Sequence, residues 1–478
     1  MEKSKFSNLA HILWYLLVLL LPITSFPLVG KLFGSNMVAA PSILILFFLL
    51  AVLFFQVKVH DFLNNPFRQI LILFLLVAII SLLLSFWYPI PFFKNFSLLM
   101  NSLEGLGTLI IGVGFYFVTS IIIRNEAVMK KTIQFVIIGF IPMAFWSGFQ
   151  FAFNLTTSGY PQWMISIQRF FSISGTLYSD RITGFAFEPS WLAHQLNMFY
   201  LPIWLGSSIK RKSVFSRSFK GFIFEDMMLG ISVLMLVFTK SRVGWITFFV
   251  VATYLFIILN HAIIRKTRSK LNLNRGEILS KSLPYMFILF YLGTLFSGIL
   301  FLRTFDPRME ALLRLDTYLN QSVYSIANQF VFVERILYWQ TGWRVFNQFP
   351  FFGVGLGNVG FFFKDHLPSF AWALDEPRHL LFQAGYLGNV KNLWIRLLAE
   401  TGIVGFLVFI SWLLMVFFKS KSNQNSNNII RQKWGLIGTI AILTILFEGF
   451  SIDSFALPYY WILLGLVTSD FFNSEKPS

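Results

Sequence analysis

Apolar residues in this chain come in runs of about twenty, repeated from one end to the other and separated by short polar stretches. The runs fall near residues 10–29, 38–57, 69–89, 103–123, 132–153, 189–208, 224–239, 243–263, 284–302, 397–418, 435–448 and 455–469. A helix of about twenty apolar residues crosses about 30 Å of hydrocarbon, and inside a bilayer only helices and closed barrels satisfy their own backbone. The pattern therefore predicts an all-α polytopic membrane protein with about twelve transmembrane helices, one for each run. Lys3 and Lys5 precede the first run. That run is too long for a signal-peptide core and no small-residue cleavage site follows, so it reads as a span.

Composition agrees with this picture: of 478 residues, 56% are hydrophobic and 12% charged, against about 25% charged in soluble domains. There is no Cys, which excludes disulfides, thiolate metal sites and a Cys nucleophile. A net charge of +17 in a soluble protein would suggest nucleic acid. Here its distribution decides. With the N-terminus inside, segments 1–9, 58–68, 124–131, 209–220, 264–282, 419–434 and 470–478 hold 23 of the 38 Lys and Arg. Concentration on one side is what the positive-inside rule requires, and basic loops against anionic lipid account for the charge without nucleic acid. The expected topology is N-in and C-in.

Two connections are long, and both fall outside: residues 154–182 and a segment of over ninety residues from Arg303 to Arg396. A connection of that length usually carries function or structure of its own. Leu312, Leu315, Tyr318 and Leu319, then Phe332, Ile336, Trp339 and Phe346, recur at three- and four-residue spacing, so the second loop is expected to be partly helical. The expected organisation is a bundle of spans one to nine over 1–302, a large outer (periplasmic) catalytic loop over 303–396, and spans ten to twelve with a cytoplasmic tail over 397–478.

Charges near apolar segments are costly and therefore informative. Lys240-Ser241-Arg242 forms the tight turn between spans seven and eight and puts two cations at the outer face, which the charge rule otherwise depletes. A snorkelling hairpin tip is the competing reading. Arg181 opens a stretch that ends in Glu188-Pro189-Ser190. Glu188 should be extended before Pro189, which opens a helix, and its carboxylate has a plain alternative as partner of the helix dipole. His194 and Asn197 share a helix face and read as a satisfied polar pair rather than a metal site.

Glu334-Arg335 and Arg344 precede Gly353-Val354-Gly355-Leu356-Gly357-Asn358-Val359-Gly360, which contains the letters of a dinucleotide fingerprint. No strand and helix frame it, so a turn that brings backbone close to a ligand or helix fits better. Farther on stand Arg378-His379 and Lys391-Asn392, followed by Arg396, Glu400, Gly402 and Gly405. Arg396 and Glu400 are at ordinary ion-pair spacing on a helix, and the two glycines suit close packing.

In order and spacing these pieces resemble the bacterial O-antigen ligase and O-antigen polymerase superfamily, which includes related protein O-oligosaccharyltransferases. The resemblance rests on Arg-x-x-Gly-x-x-x-x-Pro at Arg181–Pro189, Ser241-Arg242, the Arg, Trp, Pro, Phe-Gly-Val-Gly-x-Gly series from Arg335 to Gly357, and Asn392 to Gly405 with its Glu-x-Gly-x-x-Gly. Where the family has His before Asn, this chain has Lys391.

The resemblance implies transfer of a glycan from an undecaprenyl-diphosphate carrier to an acceptor hydroxyl, at the outer face of the bacterial cytoplasmic membrane and without metal or cofactor. Its partners are then the lipid-linked donor, a glycan or lipid acceptor and membrane lipids, with a polysaccharide chain-length regulator and a flippase as further candidates. Polymerisation of repeat units is the first reading and a ligase the second. A transporter or flippase is the alternative from another class, against which the large asymmetric loop speaks and no internal repeat is found. A departing diphosphate gains charge, and guanidinium forks bind phosphate oxygens well. Arg335 and Arg242 are the expected diphosphate ligands. Arg181, Glu188, Arg344, His379 and Asn392 are expected to bind substrate. Lys391 is either the base or a third clamp, and in the second case His379, Glu188 or no residue is the base.

Overall fold

The computed structural model describes residues 2–34, 39–156, 159–215, 221–271, 278–304, 306, 321–329 and 332–473, with the side chains of 2–7, 261, 329 and 473 excepted. Among these residues there are helices and turns but no β-strand, only isolated bridges from Ser25 to Ala39 and to Ser172. Seven helices are long and apolar enough to cross a membrane: Pro66–Ser85, Leu98–Ile122, Glu126–Thr156, Arg242–Asn260, Ile278–Arg303, Leu393–Gln424 and Ile429–Glu448. The remaining apolar runs also fold as helices, but shorter ones. Asn8–Leu19 and Pro41–Phe54 are two of these. The run at 189–208 is divided by a π-helical turn, Leu196–Tyr200, and Phe224–Phe238 and Pro458–Val467 end after 15 and 10 residues.

The helix starts follow local sequence. Proline opens Pro41–Phe54, Pro66–Ser85 and Pro458–Val467, where its missing N–H has no partner to lose. Asn65, Ser97, Asn392 and Asn428 cap the helices that follow them through their side-chain oxygens. The expected helical pieces at Leu312, Leu315, Tyr318 and Leu319 lie outside the described residues. Ile336, Trp339 and Phe346 lie on the helix Val333–Gln348, with Phe332 just before it.

The chain divides into two compact units, Met1–Ser241 with Glu334–Ser478, and Arg242–Val333. In the second, Arg242–Lys270 and Ile278–Arg303 pack together through a Phe256–Tyr291 stack at 4.2 Å, with the Tyr291 hydroxyl donating to Thr253 at 2.5 Å. In the first, Leu393–Gln424 packs against Ile429–Glu448 and Pro66–Ser85, and Pro458–Val467 against Leu98–Ile122. Trp412 lies 5.4 Å from Tyr116 and 5.3 Å from Trp461 in its core. Buried Arg68 is tied to Asp470 at 2.5 Å and to the Ser120 hydroxyl at 2.9 Å. Lys94 donates to the carbonyls of Ala384 at 2.6 Å and Leu380 at 3.2 Å.

The helix Leu393–Gln424 is interrupted at Gly402, whose φ of 64° and ψ of −171° are not helical. Its backbone groups find partners in the glycine-rich segment. Ile403 N donates to Pro350 O at 2.8 Å and Val404 N to Phe351 O at 3.2 Å, while Ala399 O accepts from Val354 N at 3.0 Å and Glu400 O from Gly355 N at 2.9 Å. The Ser81 hydroxyl adds a bond to Glu400 O at 2.6 Å. A Cβ on Gly402 would meet Phe351 O at 2.2 Å, and one on Gly353 would meet Glu400 C at 2.5 Å. The glycines therefore serve a backbone exchange between a loop and an opened helix, the setting in which irregular backbone is tolerated at membrane depth.

Candidate functional site

Between the helices Ile429–Glu448 and Pro458–Val467 the chain turns, and this turn meets charged residues from two other segments, the helix Val333–Gln348 and the stretch 391–396. Leu393 N donates to Gly449 O at 2.7 Å, which fixes the start of the Leu393 helix against the turn. Lys391 has a φ of 51°, an uncommon setting for a lysine. The Asp453 carboxylate holds it there by accepting the Lys391 N–H at 2.9 Å. Arg396 donates through Nη1 to Asp453 O at 2.5 Å and pairs through Nε with Glu400 at 2.7 Å. Arg335, from the helix Val333–Gln348, donates through Nη1 to both the carbonyl and the hydroxyl of Ser451 at 3.0 Å. Burial pushes its guanidinium below the ordinary value, opposed by the charges of Asp453, Glu376 and Glu188. An arginine nevertheless remains a cation.

The side chain of Lys391 extends from the turn to the helix Asp375–Phe382. Its ammonium forms an ion pair with Glu376 and lies 5.5 Å from the centre of the Tyr338 ring. The Tyr338 hydroxyl donates to Glu376 Oε1 at 3.3 Å. Burial, aided by the Glu376 charge, pushes the Tyr338 phenol far above its usual value, so it stays a donor. The ring stacks on Phe363 at 5.2 Å, which holds it in place.

Glu188 is extended, with φ −151° and ψ 165°, and Pro189 opens the next helix. Its carboxylate accepts from the Ser190 hydroxyl, and its charge is felt at Arg335. Within the same segment, His194 Nδ1 lies 2.5 Å from Glu448 Oε2, and Asn197 Nδ2 donates to Glu448 Oε1 at 2.5 Å. Both oxygens of this buried carboxylate are thereby engaged. The π turn Leu196–Tyr200 begins between the two donors, an irregularity common at functional sites. Among the described residues no three His, Asp or Glu side chains converge as a metal ion needs.

Of the residues singled out by sequence, Arg335, Lys391 and Glu188 are brought into one electrostatic neighbourhood. Asn392 is buried, with its side-chain oxygen accepting from Trp394 N at 2.9 Å and Ile395 N at 3.1 Å, the work of a helix cap. Arg344 comes nine residues after Arg335 on the same helix, roughly 180° around it, and donates to His366 O at 2.6 Å. His379 is exposed on Asp375–Phe382, next to Arg378, which pairs with Asp375 at 2.5 Å. Arg181 lies 3.8 Å from Asp180 and 4.9 Å from the Tyr178 ring. Arg242 opens the helix Arg242–Lys270 in the second unit.

Sequence reasoning passed over Glu376, Glu448, Ser451 and Asp453. Glu448 and Asp453 carried a signal, since both are carboxylates at the edge of an apolar run, where a charge needs a reason. Glu376, in an exposed acidic first turn, carried none. The Arg396–Glu400 pair proves more than an ordinary surface pair. The two side chains are 10% and 1% exposed, and Arg396 lies 5.0 Å from the Phe455 ring.

Apolar helices long enough to span a bilayer, with cations and carboxylates converging on one inter-helix turn, define a polytopic membrane protein with an ionic site. Residues 227–410 match the family model described as O-antigen ligase, and the match supports the O-antigen ligase and polymerase superfamily for this chain. It suggests glycosyl transfer of the ligase or polymerase type in polysaccharide biosynthesis. The matched segment contains Arg242, Arg335, Arg344, His379, Lys391 and Asn392. No curated protein matches the chain.

Proposed function

We propose that the protein transfers a glycan from an undecaprenyl-diphosphate-linked oligosaccharide to an acceptor hydroxyl at the outer face of the bacterial cytoplasmic membrane, joining cell-surface polysaccharide repeat units. The observation that carries the reading is the convergence of Arg335, Lys391 and Arg396 on the turn 449–454, within the superfamily that the family match supports. Arg335 and Lys391 hold the departing diphosphate. Fixed cations placed where charge develops stabilise the transition state without reorganising.

Lys391 acts as a clamp rather than as the base. A lysine base needs a dry amine beside another cation, whereas this ammonium is 36% exposed and paired with a carboxylate. Arg181, Glu188, Arg344, His379 and Asn392 shape the surrounding donor and acceptor paths, Asn392 by capping the helix that follows Lys391. The segment 303–396 is the catalytic loop, 1–302 and 397–478 the membrane parts. A chain-length regulator and a flippase are the partners such a polymerase calls for.

A second reading, transfer of the finished glycan to a lipid or protein acceptor, is favoured by the ligase description of the matching family. Turnover of a defined undecaprenyl-diphosphate oligosaccharide in membranes, with and without added acceptor, separates the two. Products longer than one repeat without added acceptor mark a polymerase, and transfer only to added acceptor marks a ligase. Unchanged donor in both arms would remove the glycan-transfer reading.

The reading requires twelve spans with both termini inside. Contacts between segments assigned to the same side support it: Arg68 with Asp470, Lys210 with Gln432 and Lys419 with the Phe472 carbonyl inside, Lys94 with the Leu380 and Ala384 carbonyls outside. Single cysteines replacing Lys270 and Lys421 should then be labelled only from the cytoplasm, and one replacing Lys364 only from outside.

A further inference from the structure

We infer that Glu376 is the general base, the group that takes the proton of the acceptor hydroxyl; this rests on the glycan-transfer reading and adds its proton acceptor. The geometry selects it from the carboxylates around Arg335. Glu448 has both oxygens engaged by His194 and Asn197, and Glu400 is buried against Arg396. Asp453 is nearly buried and spends Oδ2 on the Lys391 backbone. Glu188 accepts from Ser190 and, among the described residues, has no cation in contact. Glu376 alone combines access with orientation: its side chain is 48% exposed, and both its donors, Lys391 Nζ and Tyr338 Oη, meet the same oxygen, Oε1. Among the described residues Oε2 has no hydrogen-bond partner.

A base held at one atom by donors that are themselves fixed, with its other atom open, is the arrangement that proton abstraction asks for. The Asp453 carboxylate fixes the backbone of Lys391, and the Phe363 stack fixes Tyr338. One ammonium that touches both Glu376 and a bound diphosphate keeps base and leaving group in one site. In the step itself, the acceptor oxygen bonds to the anomeric carbon as its proton passes to Glu376 Oε2. The bond from that carbon to the phosphate oxygen breaks, and the diphosphate departs with the electron pair. Release of the proton to water restores the carboxylate.

The test uses the full-length protein in liposomes with a defined undecaprenyl-diphosphate oligosaccharide as donor. Glu376→Gln keeps the shape and should cut turnover by about 10² to 10⁴-fold, the usual contribution of a general base, while undecaprenyl diphosphate still binds within about twofold of wild type. Glu376→Ala should regain turnover with added formate, and Arg335→Lys should not. Turnover of Glu376→Gln close to wild type overturns the assignment, as does faster turnover or tighter diphosphate binding, the mark of a carboxylate that merely competes for Lys391. If Glu376→Gln fails to accumulate, Glu376→Asp and the formate response of Glu376→Ala decide, and an inactive, formate-insensitive pair overturns it. Wild-type protein that leaves the donor intact overturns the glycan-transfer reading and Glu376 with it, whereas active wild type beside an active Glu376→Gln removes Glu376 alone.

Discussion

The ion pairs Arg396–Glu400 and Lys391–Glu376 start five residues apart in the chain and sit in opposite surroundings. The first is 10% and 1% exposed and adds a bond from Arg396 to the Asp453 carbonyl. The second is 36% and 48% exposed. Breaking a buried pair leaves an uncompensated charge and costs about 3–5 kcal/mol, while an exposed pair is worth about 0–1 kcal/mol. The buried pair therefore holds the shape of the turn, and the open one leaves an ammonium that can meet a phosphate oxygen while it stays on Glu376. A single short segment thus supplies both the rigid frame and the accessible cation.

The largest expected effect comes from breaking the frame. Glu400→Ala strands Arg396 and should lower stability by about 3–5 kcal/mol, measured as loss of thermal stability of the detergent-purified protein; a fall below about 1 kcal/mol would erase the contrast between the two pairs. Next, Arg335→Lys keeps the charge but loses the fork. The protein should accumulate normally while turnover falls by about 10² to 10³-fold, and normal turnover would remove Arg335 from the site. Lys391→Arg should retain turnover within about tenfold, since a clamp needs only its cation, whereas a base would be abolished because Arg keeps its proton. The smallest effect is Asn392→Ala, which should cost about 1 kcal/mol of stability as a lost cap. A selective loss of donor binding in that variant would give Asn392 a substrate role after all.

How much of this was legible in sequence follows from the range of each interaction. Glu188-Pro189 is local and was readable, as was the spacing that makes 333–348 a helix; the Asn392 cap is equally local, yet that residue was expected to bind substrate. Arg335 stood out because a cation near apolar sequence needs an explanation. The carboxylates that complete the site did not, because their meaning lies in distant partners: Glu448 meets a histidine 254 positions earlier, and Asp453 meets a backbone N–H 62 positions earlier. Span lengths were misleading in another way. Hydropathy marks where the chain is apolar, but the π turn at Leu196–Tyr200 and the short Pro458–Val467 helix depend on packing against neighbours.

The opened helix at Gly402 sets an order of assembly. Ala399 O and Glu400 O are left without their helical partners, and an unsatisfied carbonyl in hydrocarbon costs several kcal/mol. The groups that receive them, Val354 N, Gly355 N and the Ser81 hydroxyl, all precede the break in the chain. During synthesis they emerge first, so the donor side of the joint is ready before the helix that needs it. The segment from Pro350 to Gly355 must then be close to its final fold when the Leu393–Gln424 helix packs, and a delay there would delay a helix that comes after it.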